Sequence, residues 1–239
     1  VNEAAMRAAR HRRERVVAED FEAMRDKVLL GTERSLAMQP DERHRLAVHE
    51  SGHTLVAWFL PHADALHKVS IIPRGRALGV TQQLPEEDRY TLPEDYLHDR
   101  LAVMLAGRAA EKLLLGSLSS GADDDIRQAS SLARAMVARW GMAEEIGPMD
   151  LRESDEHPFL GREMAQPRHH SDATAKAVDQ AVRELLREAE TRAEALITGK
   201  RPLVERLSAE LEREETLYRE AIAEILGSSG ARPRSRAAG

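Results

Sequence analysis

The sequence contains no cysteine. This absence excludes disulfide bonds, thiolate metal sites and a cysteine nucleophile, so histidine and carboxylate side chains have to supply the ligands of any metal ion. Long apolar runs are missing too, because no stretch approaches the roughly 18 uninterrupted apolar residues of a membrane span. The chain starts with neither a Met nor a signal-peptide pattern, and we therefore expect it to be a soluble piece of a longer protein.

Aromatic residues make up only 3% of the 239 residues, whereas charged residues make up 32%. This balance is typical of a soluble, mostly helical protein with room for one large domain or two modest ones. The net charge is −6, with 35 Lys and Arg against 41 Asp and Glu. Because acidic residues outweigh the Arg-rich segments Arg7–Arg15 and Arg232–Arg236, we expect no nucleic-acid partner.

The spacing of apolar residues predicts a mainly α fold with one small β-hairpin. The hairpin strands are predicted at Lys68–Ile72 and Gly79–Leu84, on either side of the turn-prone segment Pro73–Arg76. Residues 1–31 are expected to form two helices, 32–40 a polar connector, 142–170 an irregular segment and 227–239 a disordered tail. The remaining predicted helices are Asp41–Leu60 with Asp41 as its cap, a helix from the Thr91–Glu94 capping box to about Gly116, Asp123–Trp140, Ser171–Thr198 and two shorter ones through Leu226.

The segment His49-Glu50-Ser51-Gly52-His53 carries the clearest chemical pattern. Two histidines at i and i+4 of a helix lie on one face, one turn apart, and can bind a single Zn²⁺. The intervening Glu50 can act as the general base that takes a proton from the attacking water. The alternative is that both histidines are ordinary helix residues and Glu50 is a solvated charge. Gly52 argues against it, because a glycine inside a helix indicates that something packs close to the backbone.

A catalytic zinc usually has three protein ligands, so two histidines leave one to be found. The residue types alone do not decide which side chain it is. An acidic cluster at a helix N-terminus also arises from dipole compensation with no metal present. The candidates are Glu111, Asp123, Asp124, Asp125 and the pair His169-His170.

Further motifs follow in a fixed order along the chain. They are Lys68–Gly75, Leu105–Glu111, Ser120–Ile126, Trp140–Met142 near Gly147-Pro148, and, before the histidines, Val1–Ala5 and Glu19–Phe21. Together with the His-Glu-x-x-His segment, this series resembles the FtsH-type AAA+ metalloproteases over roughly residues 1–226. Two departures are Ser51, where the family commonly has Ala, and Tyr218-Arg219 in place of an Asp-Gly turn.

The resemblance implies that Asp125 is the third zinc ligand, beside His49 and His53, and that Glu50 is catalytic. It also implies that Glu111 orients a metal ligand rather than binding zinc itself, although Glu111 as a surface helix residue is the alternative. By the same resemblance, residues 1–31 are the end of an AAA+ helical lid, 32–40 a linker, 41–226 a helical metallopeptidase domain with a small β-sheet, and 227–239 a tail.

The family resemblance also implies how the whole protein works. We expect a zinc-dependent endopeptidase that hydrolyses unfolded polypeptides within a homo-hexameric, ATP-dependent quality-control protease. We expect ATP to be a cofactor only of the full-length protein, since this sequence has no Gly-x-x-x-x-Gly-Lys-[Ser/Thr] phosphate loop. The resemblance places the protein at the bacterial inner membrane, with an anchor outside this chain and the peptidase on the cytoplasmic side. The rival interpretations are a docking or oligomerisation module with a vestigial site, and a metal-dependent hydrolase acting on something other than peptides.

Overall fold

The computed structural model of the chain describes residues 1–34, 38–75, 78–84, 90–151 and 171–227. Within these ranges the fold is mainly α, as predicted. The candidate pair His169-His170, most of the irregular segment and the tail after Gly227 lie outside the described residues. The helices are α1 (Asn2–Arg10), α2 (Ala18–Leu30), α3 (Pro40–Phe59), α4 (Glu94–Ala110), α5 (Asp123–Ala138), α6 (Asp172–Gly199), α7 (Arg201–Glu214) and α8 (Arg219–Leu226).

A three-stranded antiparallel sheet accompanies the helices. The predicted hairpin is present as β1 (Ala65–Ser70) and β2 (Val80–Leu84), and a third strand, β3 (Thr216–Tyr218), pairs with the other edge of β1. The strand order β2-β1-β3 makes β1 the central strand. The sequence analysis missed β3, since three residues give no period-two pattern and their pairing partners lie about 150 positions earlier.

Several helix ends differ from their predicted positions. Gln39, not Asp41, is the N-cap of α3, and its backbone N–H donates to the Glu42 carboxylate at 3.2 Å. The capping-box prediction at Thr91 was also wrong, because Pro93 is the N-cap of α4 and the helix begins at Glu94. The helix α5 ends at Ala138, two residues before the predicted Trp140.

The helix α3 forms the centre of the core. Every residue from Ala47 to Trp58 is buried, and the helix packs against α4, α7 and the sheet. The long α6 packs against α4 as well. A helix buried all round needs small side chains where its neighbours come closest, and α3 carries Ala47, Ser51, Gly52 and Ala57 in this stretch.

Gly52 is the point of closest approach between α3 and α4. A Cβ built on Gly52 would lie 2.5 Å from the carbonyl oxygen of Ala106 and 2.6 Å from Cβ of Ala110. Both contacts are far shorter than van der Waals separation, and one of them is with rigid helix backbone. The prediction that something packs close to this glycine is confirmed.

The second helix, α2, is joined to the sheet by a buried ion pair. Lys68 of β1 donates to the carboxylate of Asp26 on α2 at 2.5 Å, and both side chains are buried. Near it, Gly31 ends α2 in a positive-φ conformation and lies against the backbone of Gly75. In the described ranges, no helix combines the length and the apolar character that crossing a bilayer requires.

We predict that Gly52→Ala lowers the free energy of unfolding by about 2 kcal/mol, the usual cost of forcing an extra group into a filled core. Chemical denaturation measures this change. The matched control is Gly199→Ala in α6, where an added Cβ meets nothing within 4 Å. There the better helix propensity of Ala should leave stability unchanged or raise it by up to ~1 kcal/mol. A Gly52→Ala chain as stable as the Gly199→Ala chain would contradict the close packing.

Candidate metal centre

The two histidines of α3 point their Nε2 atoms at each other across one helical turn. The Nε2 atoms of His49 and His53 are 3.1 Å apart, and both side chains are buried. Helical spacing alone accounts for this pairing, because side chains at i and i+4 lie one above the other. The structure therefore brings together the two residues that the sequence singled out first.

Asp125 supplies a carboxylate to the same point in space. It lies in the first turn of α5, and its Oδ2 is 3.2 Å from His49 Nε2 and 3.4 Å from His53 Nε2. Its neighbours Asp123 and Asp124 are exposed, and Asp124 instead pairs with Arg127 and Gln128. Of the three consecutive aspartates, only the third reaches the histidines.

The separations among these three atoms fit a tetrahedral zinc ion. Zinc binds histidine nitrogen and carboxylate oxygen at about 2.0–2.1 Å, which places neighbouring tetrahedral ligand atoms roughly 3.3 Å apart. The observed separations of 3.1, 3.2 and 3.4 Å bracket that value. Three protein ligands of this kind leave the fourth position for water or substrate, which is the arrangement of catalytic rather than structural zinc sites. The group His49, His53 and Asp125 can thus hold a metal ion.

Each imidazole is fixed through its other nitrogen. His53 Nδ1 is 2.6 Å from the carbonyl oxygen of Val103 on α4, a contact in which only the nitrogen can donate. His49 Nδ1 is 2.8 Å from Oε1 of Glu111. Hydrogen bonds at Nδ1 set the ring orientation and leave each Nε2 free as a ligand.

Glu111 is a buried residue that faces His49 and not a surface residue, so the surface alternative for it is wrong. Its side chain is 1% exposed. The residue begins a short π-helical turn, Glu111–Leu115, that continues α4. Arg45 donates to its Oε2 at 2.8 Å and Ser119 to its Oε1 at 3.1 Å. Burial alone would raise the pKa of Glu111, but the hydrogen bonds from His49, Arg45 and Ser119 outweigh burial and lower it to about 2. The side chain is therefore a carboxylate at neutral pH.

The carboxylates around His49 favour a positive charge between them. Burial by itself would lower the pKa of His49, yet the hydrogen bonds to Asp125 and Glu111 raise it to about 10. Burial would likewise raise the pKa of Asp125, but contacts with His49 and His53 lower it well below its usual value. The same electrostatics that stabilise a proton here would stabilise a divalent cation.

Glu50 lies beside this group, and the interpretation of Glu50 as a solvated charge is wrong. The residue is only 6% exposed, and burial raises the pKa of its carboxyl. Thr81 of β2 donates to Oε2 of Glu50 at 2.8 Å. On the other side, Gly79 leaves the space for the carboxylate, since a Cβ there would lie 2.6 Å from Oε1. Glu50 is therefore held by α3 and the start of β2 together.

The sequence analysis overlooked four positions that build the site: Gly79, Thr81, Gly107 and the carbonyl of Val103. A Cβ on Gly107 of α4 would overlap His49 and come within 2.5 Å of His53 Nε2. Gly107 stands inside a motif of the family resemblance, and a glycine in the interior of a helix was the available signal. Nothing in the sequence marks Val103, because its contribution is a backbone carbonyl.

The architecture and the site together define a class. A helix that carries His-Glu-x-x-His, a carboxylate brought in by a second helix and a buried glutamate beside the two histidines are the elements of a metallopeptidase. The contact between His49 and Glu111 adds the carboxylate–histidine pair that commonly accompanies such metal ligands.

Comparison with known proteins agrees with this assignment to the metallopeptidases. The family model "Peptidase family M41" matches residues 36–225. The chain is similar to the "ATP-dependent zinc metalloprotease FtsH" of Hahella chejuensis, with 62% identity over 95% of this chain and 36% of the relative. It is also similar to the protein of the same name from Syntrophotalea carbinolica, at 46% identity over 96% and 36% of the two chains. "ATP-dependent zinc metalloprotease FtsH 4" of Sphaerobacter thermophilus is 48% identical over 95% and 35%.

The chain belongs to peptidase family M41. The predicted resemblance to FtsH-type metalloproteases is thereby confirmed. The chain spans only about a third of the length of the curated relatives it matches, 36% of the first of them.

We predict that Asp125→Asn weakens zinc binding by at least 10- to 100-fold. Mutation of a residue that only hydrogen-bonds to a metal ligand already produces a loss of that size, and loss of a ligand itself should cost no less. The amide keeps the shape but removes the negative charge that faces the two imidazoles. Competition with a chromogenic chelator measures the affinity. Asp124→Asn is the matched control, because its exposed side chain points away from the histidines, and it should bind zinc as the unsubstituted chain does. Equal affinities in both variants would mean that another residue is the third ligand.

Proposed function

We propose that this chain is the zinc-dependent proteolytic part of an ATP-dependent protease and that it hydrolyses unfolded polypeptides. The observation that carries the proposal is the meeting of His49, His53 and Asp125 at tetrahedral separations, with Glu50 buried beside them. In this proposal those three residues are the zinc ligands, Glu50 is the catalytic residue and Glu111 orients His49. Membership of a peptidase family and the names of the relatives support it.

The chemistry divides between the ion and the protein. Zinc bound at this site would polarise the scissile carbonyl and lower the pKa of a water molecule to about 7. Glu50 takes a proton from the water as the water oxygen bonds to the carbonyl carbon. Glu50 then passes that proton to the amide nitrogen while the C–N bond breaks, so that an amine and a carboxylic acid leave. His53 and His49 keep their orientation through Val103 and Glu111.

The sheet supports the proposal that the substrate is an unfolded polypeptide. The central strand β1 is paired on both edges, which removes it as a docking strand, whereas the outer edge of β2 pairs with no strand of the described residues. An extended peptide could add to this edge through main-chain hydrogen bonds, a mode that tolerates many side chains. Because Thr81 near the start of β2 contacts Glu50, a peptide on β2 would run past the catalytic base. A segment buried in a folded protein has its main-chain groups already paired, and so it cannot add to this edge until it is unfolded.

The same proposal covers the parts of the protein beyond the peptidase site. We assign residues 1–31 to the end of an ATPase lid, 32–40 to a linker, 41–226 to the peptidase domain and 227–239 to a tail. The family match over 36–225 and the longer relatives named "ATP-dependent" support this division. The proposed assembly is a homo-hexamer in a bacterial inner membrane, held by an anchor outside these residues, with its peptidase on the cytoplasmic side and a role in protein quality control.

The first experiment measures the zinc content of the purified chain and its hydrolysis of casein, an unstructured substrate. About one zinc per chain and cleavage that a chelator abolishes are expected. Absent zinc, with no cleavage after zinc is restored, would favour the docking-module alternative. Cleavage of small esters or amides without cleavage of casein would favour a hydrolase of another class.

We predict that Glu50→Gln retains the fold and bound zinc but loses peptide hydrolysis by at least ~100-fold, because an amide cannot accept the proton of water. Rates on a fluorogenic peptide, zinc content and thermal unfolding are compared. Glu188→Gln, an exposed residue of α6, is the control and should match the unsubstituted chain. Turnover retained by Glu50→Gln would remove Glu50 from its role.

Glu111→Gln is expected to lower zinc affinity by about 10- to 100-fold, the range found when a partner of a metal-bound histidine is changed. The amide loses the charge that faces His49 and leaves Arg45 without its buried counterion. Chelator competition measures the affinity and Glu188→Gln again serves as the control. An unchanged affinity would show that Glu111 does not act on the metal ligand.

A further inference from the structure

The start of β2 encloses the Glu50 carboxylate from two sides. Thr81 donates its hydroxyl hydrogen to Oε2 at 2.8 Å, and the hydroxyl also lies 3.2 Å from the Glu50 carbonyl oxygen. Gly79 faces the same carboxylate, where a Cβ would come within 2.6 Å of Oε1 and 3.0 Å of the carboxyl carbon. The Thr54 hydroxyl, 3.3 Å from that of Thr81, ties the contact to the next turn of α3.

We propose that Thr81 and Gly79 are positioning residues that hold the Glu50 carboxylate in the orientation that proton transfer needs. The inference rests on the proposed function, since it assumes that Glu50 is the base. A glutamate side chain has three rotatable bonds, and a metal ligand on either side of it in sequence does not fix them. The Thr81 hydroxyl selects one orientation, and the absence of a side chain at Gly79 makes room for it.

The strand that holds the base is also the strand whose free edge is proposed to bind the substrate. Thr81 contacts Glu50 through its side chain, while the outer edge of β2 pairs with no strand in the part of the chain that the structure describes. A peptide paired there would be fixed relative to Glu50 by the same short stretch of chain. Misplacement of a catalytic group by about 1 Å can cost ~100-fold in rate, so a shared support for base and substrate has a large effect on catalysis.

A cavity of about 350 Å³ beside Thr81 offers a second explanation that the experiment has to separate. Its lining residues include Thr81 and Gln83 of β2 and Val103 of α4. If Thr81 acted by shaping a pocket for a substrate side chain, its substitution would change KM. If it positions the base, its substitution changes kcat.

The test is Thr81→Val, which removes the hydroxyl and keeps the β-branched shape, in the zinc-loaded chain. We expect kcat on a fluorogenic peptide to fall about 10- to 100-fold with KM and zinc affinity nearly unchanged. Thr81→Ser, which restores a hydroxyl, should recover most of kcat. Gly79→Ala should lower kcat by a similar factor, because the added methyl displaces the carboxylate. Thr216→Val in β3 removes a hydroxyl from the same sheet, bonded there to Ser70, and should match the unsubstituted chain.

Three results would overturn the inference: a kcat of Thr81→Val within twofold of the unsubstituted chain, a raised KM at unchanged kcat, or a loss of zinc affinity that parallels the loss of rate. Failure of the proposed function has a different outcome, since the unsubstituted zinc-loaded chain would itself be inactive. In that case crystal structures still decide, because a Glu50 carboxylate that keeps its place in Thr81→Val would show that the hydroxyl does not hold it.

Discussion

The close contact between α3 and α4 is the constraint on which the rest of the site depends. Gly52 lies against the Ala106 backbone, and Gly107 lies against the imidazoles of His49 and His53. Two helices this close leave no freedom in register, since sliding by one residue would place a side chain where only glycine fits. The contact therefore brings the Val103 carbonyl and the Glu111 carboxylate to the outer nitrogens of the histidines. Metal-site geometry in this chain is a consequence of helix packing.

Charge balance gives the site its chemical character. Glu50, Glu111 and Asp125 bring three carboxyl groups into a largely buried region, which is unfavourable unless cations accompany them. Arg45 offsets one of them, at Glu111. The Asp125 carboxylate faces the two Nε2 atoms, where a divalent ion would neutralise its charge. Burial favours the neutral form of Glu50 and raises its pKa. The ionised carboxylate is therefore a stronger base toward a nearby water molecule.

The sequence predicted what is local and missed what long-range packing decides. Helical spacing was enough to place His49 and His53 together, and the ordered motifs pointed to Asp125. Composition could not separate Asp123, Asp124 and Asp125, because which of them faces the histidines depends on the rotation of α5 against α4. The predicted cap of α3 and the predicted start of α4 were wrong, and the strand β3 was not predicted at all. The Thr81 contact was out of reach because it joins residues 31 positions apart.

The C-terminal part of the chain completes the sheet that borders the site. The strand β3 lies between α7 and α8, and it pairs Val69 with Leu217 and Ser70 with Thr216. Because β3 occupies one edge of β1 and β2 the other, β2 and β3 are the two outer strands of the sheet, and β2 is the one that touches Glu50. Arg43 of α3, which donates to the Glu215 carboxylate at 2.7 Å, links the start of β3 to the helix that bears the histidines. Of the two outer strands, only β2 contributes a hydrogen bond to Glu50 in the described residues. The part of the chain that follows α5 therefore does more than fill the core, because its strand β3 closes the second edge of the central strand β1.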